Sequence, residues 1–260
     1  MTLGLPVSTI FAFLLVMARV AGLVIFLPVP GFRNAPEVIR AVLVLALTFA
    51  LFPVWPQVPD VLPSFGQLIV WVFCEAGFGL MAGVAIAFLT EGFQVASQML
   101  GMQAGYGFAS TIDPTNQADA GIIQVMMSLT TGLLFFSLGF DRALLRVLAA
   151  SFQTFPAGSW APSAASLDGI MRLGSGMFAV GLRLALPVSA MLVLIDLALA
   201  LLGRMHQQLH LLTIAFPMKM LAALGLLIAL VPVIARIFDG AGERTMRELW
   251  SVLAQAHTLH

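Results

Sequence analysis

The chain reads as an all-α integral membrane protein, and three observations carry that reading. Hydrophobic residues make up 60% of its 260 residues and charged residues only 9%. The mean hydropathy is +1.03. The apolar residues also gather into continuous runs rather than scattering. Soluble domains are roughly 45–50% apolar and about 25% charged, so a water-exposed surface could not be built from this composition. With 12 basic and 12 acidic residues the formal net charge is zero, which leaves no electrostatic footprint for nucleic acid.

Six apolar segments follow in order: Ile10–Leu27, Val38–Trp55, Leu68–Leu89, Ile122–Leu138, Met171–Leu202 and Leu211–Ile234. Each is about as long as the 17–25 residues that span a hydrocarbon core at roughly 1.5 Å per residue. They must be helices, because a lipid-facing backbone has to satisfy its own hydrogen bonds, and barrel strands would show short alternating patterns instead. Met1–Ala18 contains no basic side chain, so the first segment is expected to be retained rather than cleaved as a signal peptide. Pro28-Val-Pro-Gly-Phe-Arg-Asn-Ala-Pro36 separates the first two segments. Pro53, Pro56, Pro59 and Pro63 separate the second and third. Trp55 and Trp71 flank that second break, where amphipathic rings favour the headgroup layer.

Two stretches fit no simple span. Ala143–Phe155 is apolar but short, with Arg142 and Arg146 at its start, and suits a half-helix, a re-entrant piece or an interfacial helix. Met171–Leu202 is too long for one straight crossing, and Pro187 is expected to kink it into two half-helices. Six spans would leave both termini on the side that collects Arg142, Arg146, Arg236, Arg244 and Arg247, hence the cytoplasm. One domain over residues 1–260 is expected, with 237–260 a short amphipathic tail.

Arg19, Glu75, Arg183, Asp196 and Lys219 lie inside the apolar segments. A charge at the bilayer centre costs about 2.5–3.5 kcal/mol, so each needs a partner. Thirteen residues, roughly 20 Å of helix, keep Arg183 from pairing with Asp196. Arg19 and Glu75 both sit near mid-segment and are the pair expected. Ion pairs that fix helix register, a proton or ion relay, contacts with other subunits and a wet conduit all remain open for the set. Cys74 is the single cysteine, so no internal disulfide or thiolate cluster can form, and it is expected to pack inertly.

The most distinctive stretch is residues 91–114. Glu91, Gln94 and Gln98 make a polar stripe on one helical face. Ser97, Gly101 and Gly105 are spaced by four, as are Gly79 and Gly83, and Gly101 and Gly105 are expected to permit close helix contact. The helix then breaks into Tyr106-Gly107-Phe108-Ala109-Ser110-Thr111-Ile112, followed by Asp113-Pro114. Asp and Pro suit the start of a helix, so a plain loop-to-helix joint is one reading. An uncharged, glycine-rich loop bearing aromatics also suits a hydrophobic plug, with Met99 and Met102 supplying an adaptable apolar seal.

Residues 100–114, together with Leu197–Leu209 and Ile214-Ala-Phe-Pro-Met218, resemble the FliR/SctT family of type III export-gate subunits. Segment order and the early Pro-Val-Pro-Gly-Phe turn agree as well, so the likeness covers nearly the whole chain. It departs at Gln207, where the family pattern has Pro, and at His210, where it has Asn. The resemblance implies kinked helical hairpins packed in a hetero-oligomeric gate with FliP and FliQ, beside FlhB, in the bacterial inner membrane at the flagellar basal body. It implies that Tyr106–Asp119 plugs a channel for unfolded passenger proteins, and that the five intrasegment charges face other chains or the channel. No cofactor and no enzymatic activity are expected. The motifs of nucleotide, metal and hydrolase sites do not occur, and His206 and His210 offer only two ligands. A small-solute or ion transporter with broken helices is the alternative, and a membrane scaffold without a conduit the third reading.

Overall fold

The computed structural model describes residues 7–29, 36–56, 64–106, 121–156, 158–205, 211–254 and 257–258. In chain order these form α1 (Val7–Ile25), α2 (Glu37–Ala50) with a single 3₁₀ turn at Phe52–Val54, and α3 (Phe65–Ala104). Next come α4 (Ile122–Ser137), α5 (Phe140–Thr154), β1 (Trp160–Ala161), α6 (Ala164–Met205), α7 (Leu211–Ala254) and β2 (His257–Thr258). The architecture is all-α. Among the described residues one pairing of extended backbone occurs, antiparallel, with Trp160 against Thr258 and Ala161 against His257.

All six apolar segments are helical, but among the described residues fewer than six crossings are long and apolar enough. By length and composition α1, α3, α6 and α7 can each cross a membrane, and the bent pair α4 and α5 can supply a fifth crossing. At 14 residues, roughly 21 Å, α2 is too short to cross alone. The sidedness drawn from six spans therefore loses its basis. Residues Ala143–Thr154 belong to α5, with Phe155 as its extended C-cap, and α5 follows α4 at a 60° bend. Gly139, at φ +76°, supplies the left-handed residue that this joint needs.

The expected division at Pro187 is not seen. The backbone stays helical through Pro187 in α6, and through Pro217 and Pro232 in α7. Each proline removes one intrahelical donor without ending the helix, which membrane helices tolerate. The first part of the C-terminal tail is a continuation of α7, which runs to Ala254.

Helix starts are read easily from polar residues. Ser64 and Gln67 form a reciprocal capping box before α3: the Ser64 amide donates to Gln67 Oε1 at 2.9 Å and the Gln67 amide to Ser64 Oγ at 3.3 Å. Ser163 and Ser166 do the same for α6, at 2.9 and 3.1 Å.

The chain divides into two compact units. The first comprises Met1–Phe88, Phe135–Gly174 and Gly242–His260, the second Leu89–Leu134 and Ser175–Ala241. Leu15, Val16, Phe78, Phe152, Trp160 and Leu249 lie in the core of the first. Phe93, Leu100, Ile123, Leu184, Leu192 and Phe238 lie in the core of the second. Burial is uneven: half of the most apolar stretch of α3 is buried within the chain, against 28% for α6 and 22% for α7.

Candidate functional site

In the first unit, Arg19 of α1 meets Glu75 of α3. Arg19 Nε donates to Glu75 Oε2 at 2.5 Å, and both side chains are 0% exposed. Nη1 donates to Ser151 Oγ at 2.8 Å and Nη2 to the Phe155 carbonyl at 3.4 Å, both contributed by the α5 end of the chain. The guanidinium also lies between the rings of Phe78 and Phe152, 4.2 and 4.3 Å from their centroids. Glu75 Oε1 accepts the Gly158 amide at 2.8 Å. A charge pair buried this way holds only when the remaining donors and acceptors are met, and here most are. The pair expected from mid-segment position is thus present. Facing another chain or a channel does not hold for these two residues, because burial in their own unit leaves them no outward surface.

Glycines set how closely the helices of this unit approach. A methyl group added at Gly79 would overlap the Arg19 carbonyl, and one at Gly22 the Ala76 carbonyl. At Gly83 it would come within 2.8 Å of the Leu23 carbonyl. Backbones this near are the purpose of small-xxx-small spacing. Gly158 was not singled out by the sequence reasoning. It has φ +80° and lies against the Trp71 ring, and the Ser159 amide donates to the Pro156 carbonyl at 3.0 Å. A glycine third in a Pro-initiated turn was its available signal.

In the second unit, the polar stripe and the glycines that follow it lie on α3. The polar stripe itself is half-open: Glu91 and Gln94 are partly buried, whereas Gln98 is exposed. The Ser97 hydroxyl donates to the Gln94 carbonyl at 2.8 Å. A methyl group at Gly101 would meet no described residue within 4 Å. Gly105, at φ +87°, ends the helix. The Tyr106 amide donates to the Gly101 carbonyl at 3.0 Å and the Gly105 amide to the Met102 carbonyl at 3.2 Å. Those two bonds are a Schellman cap, in which a left-handed glycine satisfies the last carbonyls of a helix. The close contact that does occur in this unit is elsewhere: a methyl group at Gly92 would meet the Met177 carbonyl at 2.8 Å, and one at Gly181 the Gly92 carbonyl at 2.7 Å.

Two side chains tie this capped end to other helices. Gln103 Nε2 donates to the Ser189 carbonyl of α6 at 3.3 Å. The hydroxyl of Tyr106, the single tyrosine in the chain, donates to the Met220 carbonyl of α7 at 3.0 Å. Partial burial pushes the Tyr106 phenol above its ordinary pKa, so the hydroxyl keeps the proton it donates. Met99 is partly buried and Met102 is 66% exposed at the same helix end. Gly107, Phe108, Ala109, Ser110, Thr111, Ile112, Asp113 and Pro114 lie outside the described residues, as do His206 and His210.

The remaining intrasegment charges are also in the second unit. Lys219 Nζ of α7 stands 2.8 and 2.9 Å from the two carboxylate oxygens of Asp196 of α6. The Lys219 side chain is 14% exposed and that of Asp196 48%. Arg183 is exposed on α6 and makes no ion pair with a described residue. What the geometry provides is a helix end fixed to two neighbouring helices, from which the glycine-rich stretch departs.

A sequence model of the family described as bacterial export proteins, family 1, matches residues 10–245. The chain belongs to that family. The match takes in the Arg19–Glu75 pair, the capped end of α3 and the Asp196–Lys219 pair. Among relatives, the flagellar biosynthetic protein FliR of Escherichia coli K12 is 28% identical over 239 residues, covering 92% of this chain and 89% of its own. FliR of Bacillus subtilis 168 is 26% identical over 246 residues, covering 94% and 95%. The surface presentation of antigens protein SpaR of Salmonella typhimurium LT2 is 26% identical over 221 residues, covering 84% and 82%. Family membership and several apolar helices of crossing length together make the chain a multi-pass membrane protein.

Proposed function

We propose that the chain is a non-enzymatic subunit of the flagellar type III protein-export gate. In this role it forms part of the channel through which unfolded proteins cross the bacterial inner membrane at the basal body. The observation that carries the reading is the end-to-end family match, with relatives named as flagellar biosynthetic proteins over about nine-tenths of both chains. Those relatives give no support to a small-solute transporter. FliP and FliQ are the partners proposed within the gate, with FlhB beside it. The stretch from Tyr106 to Pro114 is proposed as the channel plug, with Met99 and Met102 as the apolar seal next to it. Its anchored root favours that role: a plug that yields must hang from a point that does not, and Gln103, Gly105 and Tyr106 make such a point.

Co-expression and purification test the assignment. A stable complex with FliP and FliQ is expected, and recovery of this chain alone under conditions that preserve the gate would refute it. For the plug, deletion of Gly107–Thr111 in the assembled gate is expected to let small ions leak across the membrane. Conductance equal to that of the intact gate would refute the plug while leaving the assignment standing.

A further inference from the structure

The buried Arg19–Glu75 pair is closed on one side by groups that belong to no helix. The Phe155 carbonyl accepts from Arg19 at 3.4 Å and the Gly158 amide donates to Glu75 at 2.8 Å. The Trp160 ring, 0% exposed, stands edge-on to Phe78 with 5.4 Å between centroids. Phe78 is itself one of the rings on which the guanidinium lies. Phe155, Gly158 and Trp160 therefore cap the pair, and a cap of irregular backbone needs something to hold it. Trp160 does not do so through a polar bond of its own, because its buried Nε1 has no acceptor among the described residues. An indole N–H buried without an acceptor carries a desolvation cost, so the nitrogen opposes the ring's inward position rather than fixing it.

What crosses the cap is the strand that follows α7. Trp160 and Ala161 of β1 pair antiparallel with Thr258 and His257 of β2. The strand arrives from an end of α7 that is closely seated: Leu249 and Leu253 are buried, and a methyl group at Gly169, near the start of α6, would run into the Val252 side chain. A two-residue pairing is marginal by contrast, since it gains few bonds for the backbone it orders. The helix end and the strand thus differ in how easily they let go. We infer that His257–Thr258 is a releasable strap. Paired with β1 it holds Gly158 and Trp160 down on the ion pair, and displaced it lets that cap lift while α7 stays docked. The strand after α7 thereby governs whether water reaches the charged centre of the first unit. All of these residues lie in that unit, so the device is independent of which partners the chain joins.

Amide exchange in the full chain, extracted with its surrounding lipid, tests the strap. Deletion of residues 255–260 is expected to raise exchange over residues 158–161 about 10-fold, the size that one or two lost backbone hydrogen bonds imply. Exchange in α7 from Gly242 to Leu249 should stay unchanged. A second variant serves where the shortened chain fails to fold. Residues directly opposite in an antiparallel pair lie within reach of a disulfide, so Ala161→Cys with His257→Cys, in a Cys74→Ala background, should cross-link when an oxidant is added. Exchange over residues 158–161 should then be slower in the oxidised form and recover on reduction. Unchanged exchange in a folded deletion variant, a rise that extends equally through α7, absence of the cross-link, or equal exchange in the oxidised and reduced forms would each overturn the inference. Should the deletion abolish folding, the cross-linked variant alone decides.

Discussion

Replacing Glu75 by Ala isolates the energetic centre of the first unit. The change leaves the Arg19 guanidinium fully buried, still bonded to Ser151 and the Phe155 carbonyl and still stacked between Phe78 and Phe152, but without a counter-charge. Removing one member of a buried pair costs about 3–5 kcal/mol. The Gly158 amide, which donates to Glu75 Oε1 at 2.8 Å, loses its acceptor as well, at about 1–3 kcal/mol. The two losses share any relaxation, so about 4 kcal/mol or more is expected. An ordinary interhelical hydrogen bond in a membrane averages about 0.6 kcal/mol, so the charge effect should stand well clear of it. Arg19→Met combined with Glu75→Leu removes both charges. It should recover most of the loss, falling short by the orphaned Gly158 amide. Unfolding in mixed detergent micelles of Glu75→Ala, of the single changes Arg19→Met and Glu75→Leu, and of their combination measures the cycle. A loss below about 1 kcal/mol in Glu75→Ala, or strict additivity of the two single changes, would refute the reasoning.

Gly79→Ala would push a methyl group into the Arg19 carbonyl and is expected to cost about 1–3 kcal/mol, seen as lost protease-resistant chain. Gly101→Ala meets open space and should gain about 0.5–1 kcal/mol in the same assay. Tyr106→Phe removes the bond to the Met220 carbonyl, a net effect of about 0.5–1.5 kcal/mol, and should raise amide exchange at the end of α3 while global unfolding changes little. Lys219→Met should cost less than Glu75→Ala, about 1 kcal/mol, because Asp196 is 48% exposed and keeps access to solvent when unpaired.

What could be read in advance divides along a physical line. Local pattern sufficed for the helices, since an apolar run in lipid has no other way to satisfy its backbone. It sufficed for the Arg19–Glu75 pair, where two opposite charges at matched depth have few alternatives. It did not distinguish glycines: Gly79 and Gly101 have the same spacing to a second small residue, yet one touches the backbone of α1 and the other touches no described residue. Spacing reports which residues share a face, not what stands opposite it. Gly158 and the Lys219–Asp196 pair were missed for the same reason, as their roles depend on partners 83 and 23 residues away. Pro187 misled in the opposite direction, because a missing amide predicts a lost bond and not a lost helix.

Exposure means something different here from what it means in water. Leu186, Leu194 and Leu197 stand open on α6, and in a soluble protein such a row would argue for a partner. In a membrane it argues for nothing, because lipid tails cover leucine as well as a protein would. The informative side chains are those that lipid serves badly. Glu75 and Arg19 are answered inside the chain, and the first unit accordingly binds α1, α3 and the α5 end around one charged centre. The second unit pairs Asp196 with Lys219, while Arg183 stands exposed on α6 without an ion pair to a described residue. In lipid a charge on an otherwise apolar face therefore says more than hydrophobicity does, because the bilayer covers leucine at no cost and a guanidinium only at one of about 2.5–3.5 kcal/mol at its centre.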